Sequence, residues 1–203
     1  IERHLLGPDG ARLFDAPFAY RGGPQQLFQR AESSSHFGRE IGLMYTHAHL
    51  RYAEALAHLG RAEAFWQALN LAHPVDLKQR VPSAAPRQAN CYFSSSDAAF
   101  ADRHDASAQY ERALHGEVPL EGGWRVYSSG AGIALGLLQR CLLGLRPRAD
   151  ACVIDPVIAP SLGTLQAETT LAGHRVSIDC QVGSRGHGVL TVELNGTSLP
   201  FTL

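Results

Sequence analysis

The 203 residues are 45% hydrophobic and 18% charged, a composition that builds a buried core and excludes intrinsic disorder. Eighteen Lys and Arg stand against 19 Asp and Glu, giving a formal net charge of −1, so there is no overall basic field for nucleic acid or an anionic membrane. Neither is expected as a partner, and no apolar run approaches the roughly 20 residues of a membrane-spanning helix.

The chain opens Ile1-Glu2-Arg3-His4, neither an initiator methionine nor a signal peptide, and reads as a domain or fragment of a longer polypeptide. Cys91, Cys141, Cys152 and Cys180 form no Cys-x-x-Cys pair, and three of them lie in apolar runs. Reduced, buried thiols in a cytoplasmic protein fit this better than a zinc site or a disulfide framework.

Residues 1–38 are punctuated by Gly, Pro, Ser and Asp and are expected to form a long loop system. From Glu40 to Leu59 the pattern turns helical, with Leu43, His47, Leu50, Glu54 and Ala57 on one stripe and Gly60 as the stop. A second helix is expected from Arg61 to Leu71, ending before His73-Pro74 and forming an antiparallel pair with the first. Residues 74–96 read as extended, broken by Pro82 and Pro86. Ser94-Ser95-Ser96-Asp97 then offers a cap for a polar helix from about Ala98 to His115.

The segment Gly122 to Gly132, Gly-Gly-Trp-Arg-Val-Tyr-Ser-Ser-Gly-Ala-Gly, precedes an apolar run from Ile133 to Leu145 that reads as a helix ending near Gly144. Two hydroxyls between glycines, at the start of a helix, place side-chain donors, free backbone N–H groups and the positive end of a helix dipole together. That arrangement suits a phosphate. It equally suits a plain helix cap and turn, and local pattern does not choose between them.

After Arg146 the grammar changes to short strands. Ala151 to Ile154, Thr164 to Leu171, Arg175 to Val182, Val189 to Leu194 and Ser198 to Thr202 alternate or are β-branched, and Asn195-Gly196 is a hairpin signal. The chain is therefore expected to divide into a helical part, residues 1–150, and an all-β part, residues 151–203. Gly130-Ala131-Gly132-Ile133-Ala134-Leu135-Gly136 imitates a dinucleotide fingerprint, with Asp155 where a ribose-binding acid is wanted. The alternating βα units of such a domain are missing on both sides, which argues against that reading.

Several motifs together carry a family resemblance. Arg39 to His49, Asn90 to Ala98, Gly122 to Gly132, and Leu143-Gly144-Leu145-Arg146 running on to Ile154-Asp155-Pro156-Val157 resemble, in order, the glycoside hydrolase family 94 phosphorylases. The likeness is greatest to the branch of 1,2-β-oligoglucan phosphorylases and cyclic β-1,2-glucan synthetase-like proteins, with cellobionic acid phosphorylases as near neighbours. It implies a multidomain α+β protein in which this chain is the end of an (α/α)6 barrel followed by a C-terminal β-sandwich, jelly-roll-like domain. It also implies an enzyme of carbohydrate metabolism that transfers a glucosyl group from a β-glucan to inorganic phosphate with inversion. The product is α-glucose 1-phosphate. Phosphate is a co-substrate and no cofactor or metal is needed; the other partners are the oligosaccharide and the rest of the parent polypeptide. Family members are often homodimers, a state this sequence does not itself reveal.

The resemblance also implies site residues. His47, in the family's Glu-(x)6-His stretch, and the Ser128-Ser129 pair correspond to phosphate-binding positions, although the serines replace a Thr-Gly pair. Glu40 corresponds to a residue contacting the acceptor sugar, and Tyr92, Trp124 and Tyr127 are the aromatic candidates for substrate binding. The general acid is an aspartate in an upstream barrel loop, with no match here, so no catalytic residue is expected in this chain and no turnover from it alone. One carboxylic acid suffices for an inverting phosphorylase, because phosphate replaces the base-activated water of a hydrolase.

The plain alternatives are a hydrogen-bonded core histidine at His47, a first-turn acid at Glu40 and core aromatics at Tyr92 and Trp124. His47 and His49 lie about 200° apart on a helix and cannot readily share a metal. Rival readings of the whole are a non-catalytic carbohydrate-binding module and an inverting glycosidase. The glycosidase needs a base carboxylate where the two serines stand.

Overall fold

The computed structural model describes residues 1–13, 15, 44–73, 75–85, 97–101, 103–121 and 128–200. The fold is α+β: helices and short strand pairs share one chain. Contacts divide it into two compact units, Ile1–Tyr52 with Ala68–Ile133, and Ala53–Gln67 with Ala134–Leu203.

The first unit begins with a hairpin. Strands β1 (Leu6–Gly7) and β2 (Gly10–Ala11) pair antiparallel around Pro8-Asp9. Gly10 has φ +131°, and a Cβ there would stand 2.8 Å from the Met44 side chain, so only glycine lets the hairpin close on its neighbour. Met44 bridges Arg12 antiparallel, and the Tyr45 N–H donates to the Ala11 carbonyl at 3.3 Å. Helix α1 (Thr46–His58) therefore starts later than the expected Glu40: Met44 and Tyr45 are committed to the β1–β2 hairpin, while 40–43 lie outside the described residues.

Helix α1 ends as Gly60 predicts. Gly60 takes φ +66°, its N–H donates to the Ala57 carbonyl at 2.9 Å, and the Arg61 N–H reaches back to Leu56 at 3.0 Å. These are the two bonds of a Schellman motif, which satisfy carbonyls the helix leaves orphaned. Helix α2 (Ala62–Leu71) follows. A short turn of helix, α3 (Leu77–Arg80), interrupts the stretch read as extended. It forms because the Asp76 carbonyl accepts from Gln79 and Arg80, while the Arg80 Nη1 donates to the carbonyls of Val75 and Asn70 at 2.5 and 3.3 Å.

Strands β3 (Ala84–Ala85), β4 (Asp97–Ala98) and β5 (Leu120–Glu121) form a small sheet in the order β3-β5-β4, parallel then antiparallel. This corrects the cap expected at Asp97: the residue is drawn into the sheet, and the Ala99 N–H donates to the Pro119 carbonyl at 2.9 Å. The polar helix starts only at α4 (Arg103–Ala108) and breaks before α5 (Tyr110–Leu114). The core of this unit gathers Met44, Val81 and Ala84, with Leu71 packed against them.

The helix expected over the apolar run from Ile133 to near Gly144 is present and starts earlier, at Ser128. α6 (Ser128–Leu137) runs into a π turn at Leu138–Leu142, closed by the Leu143 N–H to Leu138 carbonyl bond at 2.9 Å. Gly144 ends it with φ +67°, and a Cβ there would overlap the Asp155–Pro156 peptide at 2.2 Å. The following strands pair locally. β6 (Leu145–Pro147), which sequence reading missed, joins β7 (Cys152–Ile154). β8 (Thr164–Leu171) joins β9 (His174–Gln181) through the two-residue turn Ala172-Gly173.

β10 (Glu193–Leu194) joins β11 (Thr197–Ser198) through Asn195-Gly196, whose φ values of 50° and 78° match the turn that the dipeptide favours. Along β8 and β9 burial alternates, and the half-buried face pairs Leu165 with Cys180, Ala167 with Ile178 and Thr169 with Val176. Cys141 is buried as expected, but Cys152 is exposed, because it ends the β6–β7 ladder opposite Pro147.

Candidate functional site

His47 is the second residue of α1 and is half-buried. The expected stripe was drawn one residue off. Thr46, His49, Leu50, Ala53, Leu56 and Ala57 form the buried face, with relative exposures of 0 to 3%, so His47 and Glu54 stand on its margin. Leu50 and Ala57 were placed correctly. The inward histidine is His49.

His49 is held at both ring nitrogens. Its Nδ1 accepts from the Ala11 N–H at 2.9 Å, and its Nε2 lies 2.6 Å from the Ala68 carbonyl oxygen. A carbonyl can only accept, so Nε2 carries the proton and the ring is the neutral Nε2–H tautomer. One side chain thereby ties α1 to the β2 strand and to the late part of α2, the contact expected of an antiparallel helix pair. His47 has a different environment. Its ring stacks on Tyr45, with centroids 6.5 Å apart and planes 19° apart. The core histidine and the margin histidine are thus neighbours in sequence with opposite burial.

Ser128 and Ser129 are the first two residues of α6. Their backbone N–H groups are among those that an α-helix cannot satisfy internally, which is the physical basis of anion binding at helix starts. Their side chains, and Glu40, Tyr92, Trp124 and Tyr127, lie outside the described residues. His47, Ser128 and Ser129 belong to the same compact unit.

Sequence reading also missed a buried polar cluster in that unit. Asp9 and Arg12 are 1% and 2% exposed and form an ion pair at 3.4 Å, and Arg12 Nη2 also approaches the Ala113 carbonyl at 3.5 Å. Burial pushes the Tyr110 phenol above its ordinary range, and the Arg12 charge pulls partly against this. Gly7-Pro8-Asp9-Gly10 signalled only a turn, and nothing in it distinguished a buried acid from a surface one. Among the described residues no group of three or more His, Cys, Asp or Glu is placed to hold a metal, and no helix is long and apolar enough to cross a membrane.

No family model matches the chain. It is 44% identical, over 200 residues and 98% of its length, to a 1,2-beta-oligoglucan phosphorylase of Listeria innocua serovar 6a. It is 28% identical over 144 residues, 69% of its length, to the cyclic beta-(1,2)-glucan synthase NdvB of Rhizobium meliloti. The chain spans 18% of the length of the first relative and 4% of the second. Over nearly all of its length, therefore, the chain is related to a stretch of a β-glucan phosphorylase, and the family resemblance that its motifs carry is borne out.

Proposed function

We propose that the chain is the C-terminal portion of an inverting β-glucoside phosphorylase, which moves a glucosyl group from a β-1,2-glucooligosaccharide to inorganic phosphate and yields α-glucose 1-phosphate. The observation that carries this reading is the 44% identity maintained over 98% of the chain to a protein named as a 1,2-beta-oligoglucan phosphorylase. In this reading the helical part closes an (α/α)6 barrel, and the strands after residue 150 form the β domain that braces it. The parent is a glycosyltransferase acting in the cytoplasm on oligosaccharide and phosphate.

His47 and the start of α6 would supply one wall of the phosphate pocket. A half-buried imidazole on a helix margin can donate to an anion without leaving its fold position, and the α6 N-terminus adds backbone donors. Glu40, Tyr92, Trp124 and Tyr127 are assigned to the sugar. The general acid is supplied by the rest of the polypeptide, so the chain by itself positions phosphate rather than protonating the leaving oxygen.

The test uses the complete enzyme. Glucose 1-phosphate is followed from β-1,2-glucooligosaccharides and from cellobionic acid, each with and without phosphate. Phosphate-dependent product from the β-1,2 substrate supports the reading. Phosphate-dependent product from cellobionic acid alone moves the substrate assignment, and free glucose without need of phosphate replaces phosphorolysis by hydrolysis.

A further inference from the structure

The second unit ends in a stretch that buries almost nothing. Among the described residues from Pro160 to Pro200, Gly186 alone is buried, and a glycine brings no side chain to a core. The stretch is nevertheless not polar throughout. β8 and β9 form one antiparallel ladder, in register from Thr164 opposite Gln181 to Leu171 opposite His174, and the two faces of that ladder differ.

One face suits water. Gln166, Glu168, Arg175 and Asp179 are exposed on it, and contacts between the strands join them: the Gln166 Nε2 donates to Asp179 at 3.0 Å, and Arg175 pairs with Glu168 at 3.1 Å. Such pairs persist in solvent and call for no cover. The other face carries Leu165, Thr169 and Leu171 from β8 and Val176, Ile178 and Cys180 from β9. No carboxylate, lysine or arginine stands among these six, and each is half-buried.

An antiparallel sheet with one aliphatic and one charged face is patterned to lie on a core with the first and meet solvent with the second. Here no residue of the aliphatic face reaches burial, so the described residues do not supply the layer the pattern asks for. The next hairpin adds uncovered aliphatic surface of its own, with Leu190, Leu194 and Leu199 exposed by 77, 56 and 37%.

A two-stranded hairpin with neither a third strand nor a packing layer is marginal in water. Its cover must therefore be present whenever the segment is folded. A covalently joined surface meets that condition at any protein concentration, and a dissociable copy does not. There is ample polypeptide to supply it: the 200 matched residues are 18% of the first relative, so more than four fifths of that protein lies outside the match.

We propose that the aliphatic face of β8 and β9 is an internal seat, covered by an apolar surface from the part of the parent polypeptide outside this stretch, while the Glu168–Arg175 face stays in water. The proposal rests on the reading above in one respect, that the chain is a portion of a longer polypeptide.

The test places an aliphatic diazirine amino acid in the complete enzyme, in place of Leu165, separately in place of Ile178, and in a third form in place of Gln166 on the opposite face. On illumination the diazirine inserts into whatever it touches, and products are read by gel mass and peptide mapping. Melting curves verify that each form is folded. From Leu165 and Ile178 the expected product keeps the mass of one polypeptide and joins β8 or β9 to a peptide outside this stretch, and Gln166 is expected to give none. A product of twice the mass assigns the cover to a second copy and overturns the proposal. Links confined to this stretch, no links at all, or the same outside peptide reached from Gln166 and Leu165 alike overturn it too. None of these outcomes is read through turnover, so the proposal and phosphorolysis stand or fall separately.

Discussion

His47 and His49 show how much two residues of spacing can change a role. His49 is fully buried with both nitrogens committed, so replacing it with leucine leaves the Ala11 N–H and the Ala68 carbonyl without this partner in the core. His49→Leu is expected to cost on the order of 2–4 kcal/mol, read as a lower denaturant midpoint at unchanged slope. His47→Ala is expected to shift the midpoint by well under about 1 kcal/mol, since the side chain sits at the margin and its ring contact is modest. Equal losses at the two positions would contradict the division into a core and a margin histidine. The sequence pattern placed a histidine on this helix correctly but chose the wrong one for the core. A stripe through Leu43 and Glu54 sits a fraction of a turn away from the true buried face, enough to take in His47 and leave out His49.

Cys141 carries a pH prediction at the same scale. Burial pushes its thiol above its ordinary 9.0 and Glu54 adds to this, while Arg140 and Arg146 pull against it. The folded state therefore holds the thiol proton more tightly than the unfolded chain does. The associated stability is complete below about pH 9 and is lost as pH rises through the raised value. Unfolding measured between neutral pH and moderately alkaline pH is expected to show a fall in stability that is shallower in Cys141→Ala. An unchanged slope in that variant would assign the alkaline loss elsewhere.

At the scale of elements, the chain was most legible where turn chemistry is strict. Asn195-Gly196 and Gly60 announced a hairpin and a helix stop, and both occur with the left-handed φ values those residues tolerate. β8 was read to the residue, because its alternation matches a hairpin with one half-buried face. β1, β2, β4, β5 and β6 were missed. Each is two or three residues long, and pairing rather than propensity creates them: Asp97 and Ala98 have little strand preference of their own but meet both a partner and a register at Leu120–Glu121.

Glycine gives a direct test of that distinction. At Gly144, φ is +67° and an added Cβ overlaps the Asp155–Pro156 peptide; at Gly196, φ is +78° and nothing lies within 4 Å. Gly196→Ala is expected to cost about 1 kcal/mol from backbone strain alone, and Gly144→Ala about 3 kcal/mol or more, because the β6–β7 hairpin must also move. Similar costs in denaturant titrations would mean that the close approach at Gly144 is relieved without penalty.

For the whole molecule, class and relationship were legible, while the site residues stand as a proposal. The α+β class follows from a change in periodicity after Arg146, and the family follows from motifs spread in order along nearly the whole chain, a pattern that the 44% identity over 98% of it bears out. The site is harder because its chemistry is distributed. The phosphate binding proposed for His47 and the α6 N-terminus would depend on tertiary placement, and serines at a helix start read the same in sequence whether they cap or bind. The buried Asp9–Arg12 pair left no trace in the pattern, since what buries it, including the Ala113 carbonyl that Arg12 approaches, is distant in sequence.

The measurement that bears most directly on the phosphorylase reading is glucose 1-phosphate release by the complete enzyme from β-1,2-glucooligosaccharides, with phosphate varied, in wild type and His47→Ala. The account predicts product that requires phosphate, and a variant with a weakened phosphate response, about tenfold or more down in kcat/KM for phosphate, at nearly unchanged stability. Unaltered phosphate dependence in His47→Ala would remove this histidine from the pocket, and product formed without phosphate would contradict phosphorolysis itself.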